Sequence, residues 1–257
     1  MRNAMLITAG LLSALTSSLA MAQSISVDPH SLMRLPSNAS VVQLDRLEVA
    51  DYGTLLIPAG LTELQVSQLV MGHESRIAIV PSAEPFKLRV MRGDLASGAQ
   101  ITARGAPGTF EKAPTPGRSL NVRLDQLNAD VLSIDARGGA GSPGYVGLDG
   151  GNGQEPGCTW GAASRGVDGD NGGNGREGAP GALVRLELPQ AFADDRIKVN
   201  VQGGAGGAGG EGGRGGKGGA SKGCVVYRAD GAKSGANGEK GQSGQAGPAG
   251  SVSVRKL

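Results

Sequence analysis

Between residues 40 and 137 apolar and polar positions alternate in short bursts. Leu44, Leu47 and Val49 open the series, and Leu55, Leu56 and Ile57 follow before Pro58 stops them. The alternation returns at Leu64 and Val66, at Ile77 and Ile79, and at Phe86, Leu88 and Val90. It continues at Ile101 and Ala103, at Val122 and Leu124, and at Leu132 and Ile134. A period of two places one face of each segment in a core and the other in solvent, which predicts a succession of short β-strands. No stretch sustains a 3.6-residue period, and prolines and glycines interrupt often. The expected fold is mainly β, with almost no α-helix beyond the apolar N-terminal segment.

The strands also repeat as units. The segments LRVMRGDLASGAQITARG (88–105), VRLDQLNADVLSIDARGG (122–139) and VRLELPQAFADDRIKVNVQGG (184–204) share one plan. Each has a strand, a short turn and a second strand that runs into glycine. Self-similar units that cannot bury a face alone stack on one another, so a β-solenoid-like layer is expected, with a β-sandwich as the alternative.

Composition changes this picture after Arg137. Of the 46 glycines, 37 lie in residues 138–257, and they are ordered by threes. Four runs result: 138–153, 166–181, 203–219 and 235–250, the third of them unbroken Gly-Gly-X. A polyproline-II-like helix has three residues per turn, so a glycine in every triplet makes a side-chain-free stripe along one side. Such a helix makes no internal hydrogen bonds, and its backbone must bond to neighbours. A collagen triple helix is one solution, but only five prolines fall in residues 138–257 and the runs are short. The other is an antiparallel polyglycine-II bundle within one chain. Run 203–219 has two stripes, so it is expected inside the bundle. Its interior glycines would be Gly203, Gly204, Gly206, Gly207, Gly209, Gly210, Gly212, Gly213, Gly215 and Gly216. The three single-stripe runs would surround it, with Glu211, Arg214 and Lys217 projecting from its one open side.

These triplet runs resemble the polyglycine-II bundles of springtail antifreeze proteins and of certain phage tail-fibre adhesins. The chain also resembles Gram-negative secreted proteins labelled collagen-like. The likeness covers about residues 138–250. In the phage adhesins the loops connecting the helices contact the receptor, which implies a binding role for the corresponding loops here.

The remaining features refine the division of the chain. Residues 1–22 read as a secretory signal peptide, with an apolar run at 5–15 and an A-x-A site at Ala20 and Ala22. Residues 23–39 are an N-terminal extension, 40–137 a repeated-strand domain, and 138–257 the triplet region. Interleaved strands at 183–188, 197–202 and 251–257 are expected to complete the β domain. No later stretch reaches a membrane-spanning length. The formal net charge of +2, with both signs interspersed, gives no basic face for nucleic acid. Export, to the periplasm or the cell exterior, favours a disulfide between Cys158 and Cys224, which lie in corresponding loops; the alternative is free or intermolecular thiols.

No catalytic motif surrounds His30 or His73, the two histidines, and no enzymatic activity is expected. Asp149, Asp168 and Asp170 lie among glycines but do not fit an EF-hand or a nonapeptide calcium repeat, so no metal or other cofactor is expected. The loops at 154–165 and 220–234 carry Trp160, Arg165, Lys222, Tyr227 and Arg228, residue types enriched at recognition surfaces. The plainer expectation is that Trp160 and Tyr227 cover the disulfide; the other is that they bind a surface or matrix ligand, carbohydrate or protein. The leading function is an adhesin-like or matrix-associated structural and binding protein, monomeric rather than trimeric. Ice binding, a collagen-like trimeric spacer and a β-solenoid carbohydrate-active enzyme are the alternatives.

Overall fold

The computed structural model describes residues 23–36 and 39–257. The signal peptide expected at 1–22 lies outside the described residues.

Each circuit of the chain lays down one strand in each of two sheets. β1 (Ser24–Val27), β3 (Val41–Val49), β5 (Glu63–Met71), β7 (Phe86–Leu95), β9 (Leu120–Ala129), β11 (Leu183–Leu188) and β15 (Ser251–Lys256) stack in that order into a seven-stranded sheet. β2 (Leu32–Arg34), β4 (Thr54–Ile57), β6 (Arg76–Ile79), β8 (Gln100–Thr102), β10 (Leu132–Asp135) and β12 (Ile197–Asn200) form a six-stranded one. Every pairing within both sheets is parallel. Parallel stacking of successive circuits is the solenoid arrangement; a sandwich would pair hairpin strands antiparallel.

Like residues stack on like. Leu64, Leu88, Val122 and Leu186 form one inward column, and Leu55, Ile77, Ile101 and Ile134 form another on the facing sheet. Each of these residues is buried. In β3 and β7 two exposed residues stand between buried ones, as at Asp45 and Arg46 between Leu44 and Leu47. Asp45, Ser67 and Met91 drop out of the residue-by-residue pairing, as expected where a strand bends. The N-terminal extension expected at 23–39 contains the first rung, β1 and β2. SISV alternates over only four residues and LMR is shorter still, but each lies 22 residues before its partner, Ser24 against Arg46 and Leu32 against Thr54.

Two kinds of corner join the sheets. At one, tight four-residue turns repeat with a left-handed residue in the same place: His30 (φ 54°), Tyr52 (φ 57°), Glu74 (φ 51°) and Gly98 (φ 76°). For non-glycine residues this conformation is strained. Here the strain is offset by inter-rung bonds from the backbone N–H of His30, Tyr52 and Glu74 to the carbonyls of Asp51, His73 and Ser97. The His30 and Tyr52 rings stack at 4.8 Å.

The other corner is where the chain grows. It is crossed by segments 58–62 and 80–85, then by 103–119, 136–182 and 201–250. All four glycine runs therefore leave the solenoid from one side. Arg118 ties this corner together. Its fully buried guanidinium donates to the carbonyls of Leu61 (2.8 Å), Val80 (3.3 Å) and Glu84 (2.9 Å) and lies 5.4 Å above the centre of the Phe86 ring. Burial lowers its pKa, against a smaller opposing pull from Glu84. Beside it, Asp135 accepts from Arg104 Nε (2.6 Å) and Arg137 Nε (3.0 Å) at the foot of the first run.

The runs hydrogen-bond to one another at every third residue. Gly141, Gly144 and Gly147 of 138–153 donate to Ala205, Ala208 and Glu211 of 203–219, each at 2.8 Å. Gly207, Gly210 and Gly213 of 203–219 donate to Arg176, Gly173 and Asp170 of 166–181, and Gly238, Gly241 and Gly244 of 235–250 donate to Gly213, Gly210 and Gly207. Gly172 and Gly175 of 166–181 donate to Glu239 and Gln242 of 235–250, while Asp170 and Gly173 donate to Leu148 and Tyr145 of 138–153. Runs adjacent in sequence are thus antiparallel. The first and third pair in parallel, as do the second and fourth, as follows when consecutive runs alternate in direction. Because the runs touch by backbone, a Cβ on Gly210 would overlap the carbonyl of Tyr145.

Run 203–219 contacts the other three runs, and Glu211, Arg214 and Lys217 are exposed. Its two stripes differ in depth. Gly204, Gly207, Gly210, Gly213 and Gly216 are buried, and each lies against the backbone of run 138–153. The other stripe faces run 235–250: Gly203, Gly206, Gly209, Gly212 and Gly215 approach the carbonyls of Gly247, Gly244, Gly241, Gly238 and Gly235. Of these only Gly209 is buried; Gly203, Gly206, Gly212 and Gly215 are half-buried. The expectation that all ten glycines are interior is corrected for those four. They meet a neighbouring run as expected, but no further run covers the seam beside them, so water reaches its edge. Run 166–181 also contacts all three other runs, so two runs share the centre.

Candidate functional site

The far end of the bundle is closed by loops 154–165 and 220–234. A disulfide joins Cys158 to Cys224, with their Cα atoms 5.7 Å apart across 66 residues of sequence. The second loop is a small hairpin in which Lys222–Gly223 pairs antiparallel with Arg228–Ala229. The Cys224 N–H donates to the Tyr227 carbonyl at 2.8 Å, which leaves Val225 and Val226 as the two apical residues. The first loop is pinched where the Gly157 N–H donates to the Gly161 carbonyl at 3.0 Å, with Gly161 at φ 97°. Its base is closed by Gln154 and Ser164, the Gln154 N–H donating to Ser164 Oγ at 2.7 Å.

The five candidate residues behave differently. Tyr227 Oη donates to the Cys158 carbonyl at 2.6 Å, latching the hairpin onto the other loop beside the disulfide. Trp160 does not cover the disulfide: it is 88% exposed. The expectation that both aromatics pack there fails for Trp160, whose side chain stands in solvent within the pinched Gly157–Gly161 turn. Arg165 pairs with Asp168 at 2.7 Å, and Arg228 donates to Ser221 Oγ at 2.7 Å. Lys222 is exposed. Val225 and Val226, fully exposed in the apex, join the candidates on structural grounds alone. Their signal in the sequence is their place between Cys224 and Tyr227, in a loop where polar turn residues ordinarily stand.

Asp149 and Asp168 have a structural task. Asp149 Oδ1 accepts the Arg214 N–H and Asp168 Oδ1 the Ala236 N–H, both at 2.7 Å. Asn152, Asn171 and Asn174 accept from Lys217, Glu239 and Gln242 in the same manner, each at 2.8 Å. These side chains occupy the backbone donors that the glycine ladders leave over. No group of three or more His, Cys, Asp or Glu residues arranged for a metal occurs among the described residues.

A second feature is an open groove of about 980 Å³ on the outer face of the seven-stranded sheet, where Gln43, Gln65, Lys87, Arg89, Arg123 and Asp125 line it. Its charges are largely engaged with each other: Glu63 lies 3.5 Å from Arg89, and Arg123 lies 2.8 Å from Asp125 and 3.4 Å from Glu187. The two histidines lie at the tight-turn corner, away from both features. No helix among the described residues is long and apolar enough to cross a membrane.

No protein-family model, curated protein or solved structure matches this chain.

Proposed function

We propose that this is an exported structural and binding protein, adhesin-like or matrix-associated, in which the solenoid is a base, the glycine bundle a rigid stalk and the disulfide-closed loops the contact end. The observation that carries the reading is the composition of that end. Trp160, Val225 and Val226 are 88%, 103% and 90% exposed, at the part of the bundle farthest along the chain from the solenoid. Exposed apolar groups gathered on two disulfide-linked loops mark a contact surface in a way that singly scattered ones do not. A stalk whose runs bond within one chain supports a monomer rather than a trimeric spacer. A disulfide is in keeping with an oxidising compartment outside the cytoplasm. The charged residues Glu211, Arg214, Lys217, Glu239 and Lys240 on the bundle surface weigh against an ice-binding face.

The test is retention of the mature chain on a panel of glycans, matrix proteins and envelope preparations, comparing wild type with Trp160→Ala and Tyr227→Ala. Loss of retention in these variants with an intact fold is the expected result. Retention that survives both changes but is lost with Arg89→Ala or Arg123→Ala would move the activity to the solenoid groove and end this reading.

A further inference from the structure

We propose that the tip is an interfacial lipid anchor, in which Val225, Val226 and Trp160 enter the headgroup region of an anionic bilayer while Lys222 and Arg228 meet its phosphates. The inference rests on the reading of the tip as the contact end and specifies its partner.

Four observations converge on it. First, Val225 and Val226 occupy the central positions of the turn closed by Cys224 and Tyr227. Such positions ordinarily hold Gly, Asn, Asp, Pro or Ser, whose conformations and polarity suit an exposed turn. Two β-branched apolar residues there add nothing to the fold, since neither is covered.

Second, the shape is convex. The two valine side chains stand in solvent at the apex of a hairpin. A convex apolar point is matched by a soft, continuous apolar medium, and a tryptophan on the disulfide-linked loop suits the water–lipid boundary.

Third, the charge fits. Segments 154–165 and 220–234 hold Lys222, Arg228 and Lys233 against Glu155 and Asp230, while Arg165 is paired with Asp168. Lys222 and Arg228 lie on the two strands immediately behind the apex. That is the depth at which cations reach headgroup phosphates when the apex is inserted.

Fourth, the apex is already ordered. The disulfide and the Tyr227–Cys158 hydrogen bond fix both loops before contact, which reduces the ordering cost of binding.

Trp160 is the only tryptophan in the chain, so its emission reports the tip alone. The mature protein would be titrated with vesicles of phosphatidylcholine and with vesicles of an equal mixture of phosphatidylcholine and phosphatidylglycerol. The expected result is a blue shift of Trp160 emission, with apparent affinity about tenfold higher on the anionic vesicles and reduced by added salt. Val225→Ser with Val226→Ser should abolish the shift, and Lys222→Gln with Arg228→Gln should remove the preference for anionic lipid. Circular dichroism of the same samples establishes that each variant is folded.

An unshifted spectrum on both vesicles, or a shift that persists in the double serine variant, overturns the proposal. If lipid is not bound but the tip variants lose retention on a glycan or protein of the panel above, the lipid assignment falls and the contact-end reading stands. If no retention depends on the tip, both fall.

Discussion

Arg118 shows how much one side chain can hold at the place where the stalk leaves the base. Its donors satisfy three carbonyls from two different segments, Leu61 of 58–62 and Val80 and Glu84 of 80–85. Arg118→Met keeps much of the apolar bulk but leaves the buried Leu61 carbonyl without its donor and removes two further hydrogen bonds, and should lower stability by about 3 kcal/mol in chemical denaturation. Asp135, close by, gives a pH signature. Burial raises its pKa, but the hydrogen bonds from Arg104 and Arg137 outweigh this and hold it below the usual value. A carboxyl depressed in the folded state contributes stability above its unfolded pKa of ~3.9 and loses it as pH falls through the folded value. Asp135→Asn should therefore be less stable than wild type at neutral pH, with the gap closing below about pH 3.9 in urea melts. Neither role was legible beforehand. Arg118 lies in a proline-rich excursion whose local pattern reveals nothing of burial. The backbone-capping task of Asp149 and Asp168 was hidden for a similar reason: their partners lie 65 and 68 residues away.

At the level of elements, the glycine stripes are the strongest signal in the chain, and they translate directly into contact. A methyl group on Gly210 cannot be accommodated without separating two runs, whereas Gly151 has room for one, meeting only Val167 at 3.9 Å. Gly210→Ala should cost about 3 kcal/mol and Gly151→Ala less than about 1 kcal/mol by thermal or chemical denaturation. The stripes told which side of a run another backbone would meet, but not how deep each seam lies. Gly204 and Gly203 are neighbours in one triplet, yet only the first is buried, because depth depends on whether a further run covers the seam. The disulfide acts at the opposite end. Closing 66 residues constrains the unfolded chain, and its reduction should cost roughly 4 kcal/mol, measured as the difference between melts with and without reductant. The strands were legible wherever alternation ran for several residues, as at Phe86, Leu88 and Val90. β1 and β2 were not, because each is short and lies before the run of alternating segments, so it is identified only by its spacing from a partner. The turn at Val225–Val226 escaped for a related reason: a pair of valines beside a tyrosine reads as a buried strand until the hairpin around it is known.

For the whole molecule, the compositional boundary at Arg137 is not a boundary in the fold. β11, β12 and β15 return to the two sheets after each excursion, so the base and the stalk are threaded through each other. Sequence repeats implied stacked rungs but left two sheet architectures open, because alternation gives which face is buried and not the direction of the neighbour. Runs of this length extend about 50 Å at polyproline-II rise. Small-angle scattering of the mature chain should therefore show an asymmetric particle with a maximum dimension well beyond that of a sphere of equal mass. Sedimentation should give the mass of one chain. A compact sphere or a threefold mass would contradict this.

The ladders also set a rule for how such a stalk can change in length. Every run is locked to at least two others at each third residue, so one triplet added to a single run keeps its glycines in phase but carries its end past its neighbours, where the extra backbone groups find no partner. Elongation without defect needs the same triplet added to all four runs at matching heights, an increment of about 9 Å. The reach of this molecule is therefore quantised, a ruler that can be recut only in whole notches.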